Sequence, residues 1–202
     1  MVRVKICGIC DAPAARLAAE AGADLIGFHF CPSPRRISPE AAKAIVDSLD
    51  VRPVIVGVFI DEEEDVARQV AELVGLDLLQ LHGSEPDWFD AGVPLMKVLK
   101  VRDGKVPDAS RWPDPIMLDS WSHDQRGGTG RTWTWELARP LLAKRKVFIA
   151  GGLQPGNVGT VVSAYRPYGV DVSSGVESEV RVKDPEKVRA FIRAVREAEV
   201  VK

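Results

Sequence analysis

The stretch KVFIAGGLQPGNVGTVVSAYRPYGVDVSSG, residues 146–175, decides the fold. A short apolar run (146–150) stops at two glycines, a helical stretch follows (155–165), and a second apolar run (168–174) leads into a glycine. A strand wetted on one face alternates apolar with polar residues; these runs are near-continuous, as in parallel strands covered on both sides. The connection between them is too long for a hairpin and suits a helical crossover. The stretch therefore reads as a β–α–β unit of a parallel sheet. Both strands end in small residues, which let backbone amides come close to an anion.

Working outward, the same alternation covers the chain. Six further runs read as strands: VRVKIC (2–7), DLIGFHF (24–30), PVIVGVFI (53–60), DLLQL (77–81), PLMKVLK (94–100) and PIMLD (115–119). Helices are expected over 13–22, 39–49, 63–75, 134–144, 155–165 and 185–199, with shorter, less helical segments after the fourth and fifth strands. Ser38-Pro39-Glu40 and Asp184-Pro185-Glu186 each set a capping side chain before a first-turn proline and an acid, the start signal of a helix. Eight strands in turn with helices make either an open doubly wound sheet or a closed (β/α)8 barrel. With 202 residues and no linker or low-complexity tract, one domain over 1–202 is expected, and a barrel of this length would be compact.

Composition narrows the function. Apolar residues make up 46% and charged residues 28%, a globular balance. A formal charge of -2 leaves no basic footprint for nucleic acid, and no apolar run is long enough to cross a membrane or head a signal peptide. A cytoplasmic protein with reduced thiols is expected, its cysteines being only Cys7, Cys10 and Cys31.

In either architecture function gathers at the carboxyl ends of the strands, and the chemically distinctive residues follow the strands there. Gly151, Gly152, Ser173, Ser174 and Gly175 sit after the last two strands, the recurrent phosphate position of a barrel, which implies a phosphorylated small molecule. Asp119 closes the sixth strand behind PIML; partial desolvation there disfavours the charged form and would suit a general acid, although an isolated aspartate is more often a helix cap or loop anchor. Cys7 ends the first strand, where a free cysteine is either a small buried hydrophobe or, once its environment favours the thiolate, a base. Lys5, two residues back, points to the same inner face. Arg35 or Arg36 could grip a carboxylate in a two-pronged fork, or be a solvated charge. Cys7, Cys10, His29 and Cys31 are a conceivable zinc set, but a single C-x-x-C lacks the spacing that such sites show.

Taken in order, KICGI (5–9), GADLIGFHF (22–30), SPRRIS (33–38), VGVF (56–59), LQLHG (79–83), LDS (118–120), GGTGRTWTW (127–135), IAGGLQPGNV (149–158) and VDVSSGVE (170–177) resemble the phosphoribosylanthranilate isomerase family of tryptophan biosynthesis over the full length. The resemblance implies a cofactor-free, metal-free (β/α)8 barrel that carries out an Amadori rearrangement of a phosphosugar substrate, as a monomer or homodimer. It further implies Cys7 as base, Asp119 as acid, Arg35 as the carboxylate-binding arginine, Asp171 near the substrate, and Gly151, Gly152, Ser173, Ser174 and Gly175 around the phosphate. Cys10 stands where the family commonly has a small polar residue, so the C-x-x-C is incidental.

Two places depart from the family pattern. Trp133-Thr134-Trp135 replaces Phe-Asp-Trp, and Val180-Arg181 replaces a proline-glycine beside the expected phosphate site, which bears on substrate affinity. A related barrel isomerase of histidine biosynthesis characteristically uses two aspartates, one at the end of strand one. Cys7 in that place argues against it.

Overall fold

A computed structural model describes residues 1–87, 89–120 and 134–200. Eight parallel strands close into a barrel in sequence order: β1 (Arg3–Cys7), β2 (Leu25–His29), β3 (Val54–Phe59), β4 (Leu78–Leu81), β5 (Leu95–Val101), β6 (Ile116–Ser120), β7 (Val147–Ile149) and β8 (Gly169–Val172), with β8 pairing back onto β1. The open doubly wound sheet is thereby excluded. Five helices pack outside: α1 (Ala12–Glu20), α2 (Pro39–Asp47), α3 (Glu64–Val74), α5 (Pro155–Tyr165) and α6 (Pro185–Val200), and a one-turn α4 (Arg139–Leu142) follows β6. Among the described residues no helix follows β4 or β5, and no helix is long and apolar enough to cross a membrane.

The caps form as their residue types dictate. Asp11 accepts the Ala14 N–H, Ser38 accepts the Ala41 N–H, and Asp184 accepts the N–H groups of Glu186 and Lys187. The helix expected over 134–144 is instead a 3₁₀ turn (Trp135–Ala138) running into α4. Pro140 lies in the first turn of α4, where its missing N–H is tolerated, and its ring would obstruct a continuous helix entering from residue 134. A small antiparallel hairpin of β9 (Glu177–Glu179) and β10 (Val182–Lys183), absent from the sequence expectation, connects β8 to α6.

Strand side chains divide by parity. Outward residues such as Val4, Ile6, Ile26, Phe28, Ile55 and Ile149 join the helices in the main core. Inward residues Leu25, Val56, Leu78, Met96, Met117 and Phe148 fill the barrel's interior with a separate apolar cluster. Phe148 fits because its partner across the β7–β8 ladder is Gly169: a Cβ there would lie 2.2 Å from the ring. Gly169→Ala is expected to destabilise the barrel by about 1–3 kcal/mol through overpacking, seen as a lower midpoint in denaturant unfolding.

Candidate active site

Toward the carboxyl ends of most strands the inward positions turn polar, with Val58 of β3 remaining apolar. Lys5 and Cys7 come from β1, His29 from β2, Gln80 from β4, Lys100 from β5, Asp119 from β6 and Asp171 from β8. Two cavities open here. One is lined by Cys7, His29, Arg35 and Gln80, the other by Gly151, Gly152, Ser174 and Gly175, and Asp119, Asp171 and Ser173 line both. The residues singled out in the sequence thus meet at one mouth although they come from strands far apart in the chain.

The second cavity is shaped by backbone. Gly151 and Gly152 have φ of 86° and 71°, a region that side chains strain, and Gly175 passes so close to the preceding loop that a Cβ would lie 1.9 Å from the Leu153 carbonyl oxygen. The Asn157 side chain, in the first turn of α5, donates to the Gly152 carbonyl and accepts the Gln154 N–H, each at 2.9 Å, fixing this loop to the helix. The Ser173 hydroxyl is buried with no hydrogen-bond partner among the described residues, a polar group facing a space that a polar ligand could satisfy.

Around Cys7 the charges are buried. Lys5 is 0% exposed and donates to Asp171 at 2.8 Å. A Cβ on Gly27 would lie 2.9 Å from both the Lys5 ammonium and the Cys7 sulfur, so glycine at that position makes room for the two to meet. Burial works against the Lys5 charge, but Asp171 and Cys7 outweigh it and hold its pKa above the ordinary lysine value. For Cys7, burial pushes the thiol up and Asp171 adds to this, while Lys5 and Lys183 pull the other way without cancelling it. His29 Nε2 lies 3.4 Å from the sulfur. Burial, then Lys5, Arg35 and Lys183, push the imidazole down to about 3. His82, half-buried and in contact with the Gln80 side chain, is likewise held well below the ordinary histidine value by desolvation and then Lys100.

Asp119 is not left in an apolar pocket as the PIML run suggested. Its carboxylate accepts Lys100 Nζ at 2.5 Å, the Ser120 N–H at 2.7 Å and the Ser120 hydroxyl at 3.4 Å. Lys100 is on the neighbouring strand in register with it, a pairing invisible before the strands are aligned.

Arg35 is neither solvated nor free. Its Nε and Nη2 donate to the two carboxylate oxygens of Glu177 at 2.8 and 2.6 Å, and its exposure is 6%. Lys183 adds a third bond to Glu177 at 2.8 Å and reaches the Ser173 carbonyl. Burial disfavours the Glu177 charge, but the Arg35 hydrogen bonds and Lys183 hold its carboxyl below the usual glutamate value. The Val180-Arg181 departure acts here rather than on the glycine cradle. Arg181 takes a φ of 79° in the hairpin turn and donates to the carbonyls of Pro34 and Arg36, pinning the loop that carries Arg35. Arg36 itself is exposed.

Cys7, Cys10, His29 and Cys31 do not converge as a zinc set would. Cys10 Sγ turns to the carbonyls of Gly8 and Arg35, and among the described residues no group of three or more ligand types gathers to hold a metal. The segment Gly127–Gly130, Arg131 and Trp133 lie outside the described residues. The sequence reading missed Lys100 and Glu177 as parts of the site and met His29 only as a conceivable zinc ligand. Parity on β2 gave a signal for His29, since residues 7 and 29 face the same interior, but Glu177 is 142 residues from Arg35 and carried none.

A closed (β/α)8 barrel with a thiol, a carboxylate and a glycine-built cradle at its carboxyl mouth has the outline of a barrel enzyme working by proton transfer. The chain belongs to the N-(5'-phosphoribosyl)anthranilate (PRA) isomerase family, whose description matches residues 4–194. It is 44% identical over 202 residues to the N-(5'-phosphoribosyl)anthranilate isomerase of Pelobacter propionicus, covering 98% of this chain and 97% of that one. The phosphoribosyl anthranilate isomerase structure from Thermus thermophilus superposes with a TM-score of 0.89 at 38% identity, over 97% and 99% of the two chains. A phosphoribosyl anthranilate isomerase in complex with reduced 1-(o-carboxyphenylamino)-1-deoxyribulose 5-phosphate gives a TM-score of 0.81 at 34% identity, over 98% and 100%.

The Glu177 cluster generates a stability prediction. Because its folded carboxyl titrates below the ordinary glutamate value, the native state binds fewer protons than the unfolded chain between the two values. The stability Glu177 contributes is therefore present above about pH 4.3 and lost as pH falls through the folded value. Glu177→Gln, which strands two buried cations, is expected to cost about 3 kcal/mol at neutral pH. The gap to the unaltered protein should narrow on acidification in chemical unfolding measured from pH 7 to pH 3.

Proposed function

We infer that this chain isomerises N-(5-phosphoribosyl)anthranilate to 1-(2-carboxyphenylamino)-1-deoxyribulose 5-phosphate, a step of tryptophan biosynthesis, and that residues 1–202 act as one catalytic domain. The observation that carries the reading is the convergence of Cys7 and Asp119, from opposite parts of the barrel, on cavities that also present a glycine cradle and a buried arginine.

In this reading the phosphate lies against Gly151, Gly152, Ser173, Ser174 and Gly175, and the substrate's ribose spans the junction that Asp119 and Asp171 share. Arg35 keeps Nη1 outside its fork with Glu177, a donor for the anthranilate carboxylate. Asp119, in its protonated form, gives its proton to the ring oxygen as the ring opens to the Schiff base, and Lys100 pairs with the carboxylate left behind. Cys7, as thiolate, takes the C2′ proton to give an enolamine, which tautomerises to the ketone. Asp171 holds Lys5 charged beside the sulfur, and Lys5 in turn favours the thiolate. Since burial pushes the Cys7 thiol up from its ordinary value, deprotonation of Cys7 belongs to the reaction's pH dependence.

Turnover is followed by the loss of substrate fluorescence, with substrate generated in situ. Cys7→Ser and Asp119→Asn should each lower kcat by 10² to 10⁴, about the contribution of one general acid or base, with the fold intact by circular dichroism. Wild-type protein without turnover sinks the reading. Gly175→Ala, which forces the Leu153 carbonyl away, should instead raise KM by about tenfold or more with a smaller change in kcat. In the wild type kcat/KM should rise with pH through the Cys7 titration, because the reactive form is the deprotonated one and burial holds that titration above the ordinary thiol value.

A further inference from the structure

His29 belongs to none of the roles above, yet it touches the sulfur. Its Nε2 is 3.4 Å from Cys7 Sγ, and its Nδ1 is 2.9 Å from the Ser33 hydroxyl, which accepts the Arg35 backbone N–H at 3.1 Å. The groups facing this pair come from every element around it: Lys5 on β1, Cys31 and Arg35 in the loop after β2, His82 after β4, Asp119 on β6, Asp171 on β8, and Glu177 and Lys183 on the hairpin. Three of the cations, Lys5, Arg35 and Lys183, act against a charge on the imidazole, so a proton taken from Cys7 would not come to rest on His29. The ring stays neutral and carries one N–H. When Cys7 is a thiolate, that N–H has to be on Nε2, because the other tautomer would aim a ring lone pair at the sulfur's charge. Ser33 suits this tautomer. With the Arg35 N–H on one of its lone pairs, its own O–H can donate to Nδ1.

We propose that His29 is a positioning residue for the base: its neutral Nε2–H donates to the Cys7 thiolate, with the tautomer fixed by Ser33, and holds the sulfur's free lone pairs toward the substrate. This rests on Cys7 being the base of the proposed function. The chain Arg35 N–H to Ser33, Ser33 O–H to His29, His29 N–H to Cys7 then joins the arginine expected at the substrate's carboxylate to the atom expected to take its proton.

The test is the thiol's own titration, read without substrate. Thiolate ultraviolet absorbance is followed against pH, and the signal of Cys7→Ser is subtracted so that the other thiols and the tyrosines drop out. His29→Leu is expected to raise the midpoint by about one pH unit, a tenfold loss of thiolate at a given pH. His29→Gln, which keeps an N–H at similar reach, should restore most of it. An unchanged midpoint in His29→Leu, or a His29→Gln that titrates like His29→Leu, overturns the proposal. The unaltered protein offers a second reading. Above the thiol midpoint, the nitrogen NMR signals of His29 should place the proton on Nε2, and a proton on Nδ1 overturns it. Neither measurement uses turnover, so an enzyme that passes both and fails to isomerise the substrate counts against the proposed function alone. If both stand, the rising limb of kcat/KM in His29→Leu should move up with the thiol midpoint.

Discussion

The upper half of the barrel is organised by one buried charge, the Lys5 ammonium. An ammonium with no exposed surface is tolerated only when it is paired and hydrogen-bonded. The register supplies the partner: Asp171 stands opposite Lys5 across the β1–β8 ladder that closes the barrel. Gly27 supplies the room on the other side, in register with Cys7. Closure of the barrel therefore assembles the charge environment of the thiol, and neither is complete without the other. From Lys5 the charges continue in opposed groups, Arg35 and Lys183 about Glu177 and Lys100 against Asp119, so that among the described residues these groups set four cations against three carboxylates, counting Asp171. That slight excess of positive charge suits a ligand with a phosphate at one end and a carboxylate at the other.

Most of the fold was legible because parallel strands buried on both faces announce themselves as apolar runs. All eight runs became strands, with boundaries displaced by two residues at most. The failures have local causes. The segment 134–144 has helical composition, but Pro140 divides it into a 3₁₀ turn and a single helical turn. The β9–β10 hairpin buries no apolar face, since its alternating Val180 and Val182 are exposed; it is held by Glu177 and Lys183 pointing inward and by Arg181 reaching across to another loop. Sequence patterns carry backbone periodicity, and this hairpin is specified by long-range side-chain bonds instead.

The same distinction separates what was legible in the site from what was not. Residue types at strand ends marked Cys7, Asp119 and the two small-residue loops, since the architecture itself directs attention there, whereas Asp171 came only with the family resemblance. The partners of those residues were mostly hidden. Lys100 meets Asp119 through register and Glu177 meets Arg35 across 142 positions, while His29, two residues beyond the Gly27 that pairs with Cys7, meets the sulfur on a shared inner face that parity alone had suggested. Each contact changes a chemical reading. Arg35 becomes a fixed donor rather than a loose charge, and Asp119 an acceptor in a charged network rather than an isolated carboxyl.

Stability and chemistry are separated along the barrel axis. The lower interior is an apolar plug of Leu25, Val56, Met96, Met117 and Phe148, backed by the larger core between strands and helices. Those layers offset the cost of burying Lys5, Arg35, Glu177 and Lys183 above them. Position 29 lies at the boundary, where an inward side chain borders the cavity instead of filling the plug, and so it can carry a histidine without disturbing the packing below. A residue in that place is constrained by what it does to the sulfur more than by the space it fills, and the Ser33 and Cys7 contacts on its two ring nitrogens are what give its identity a consequence.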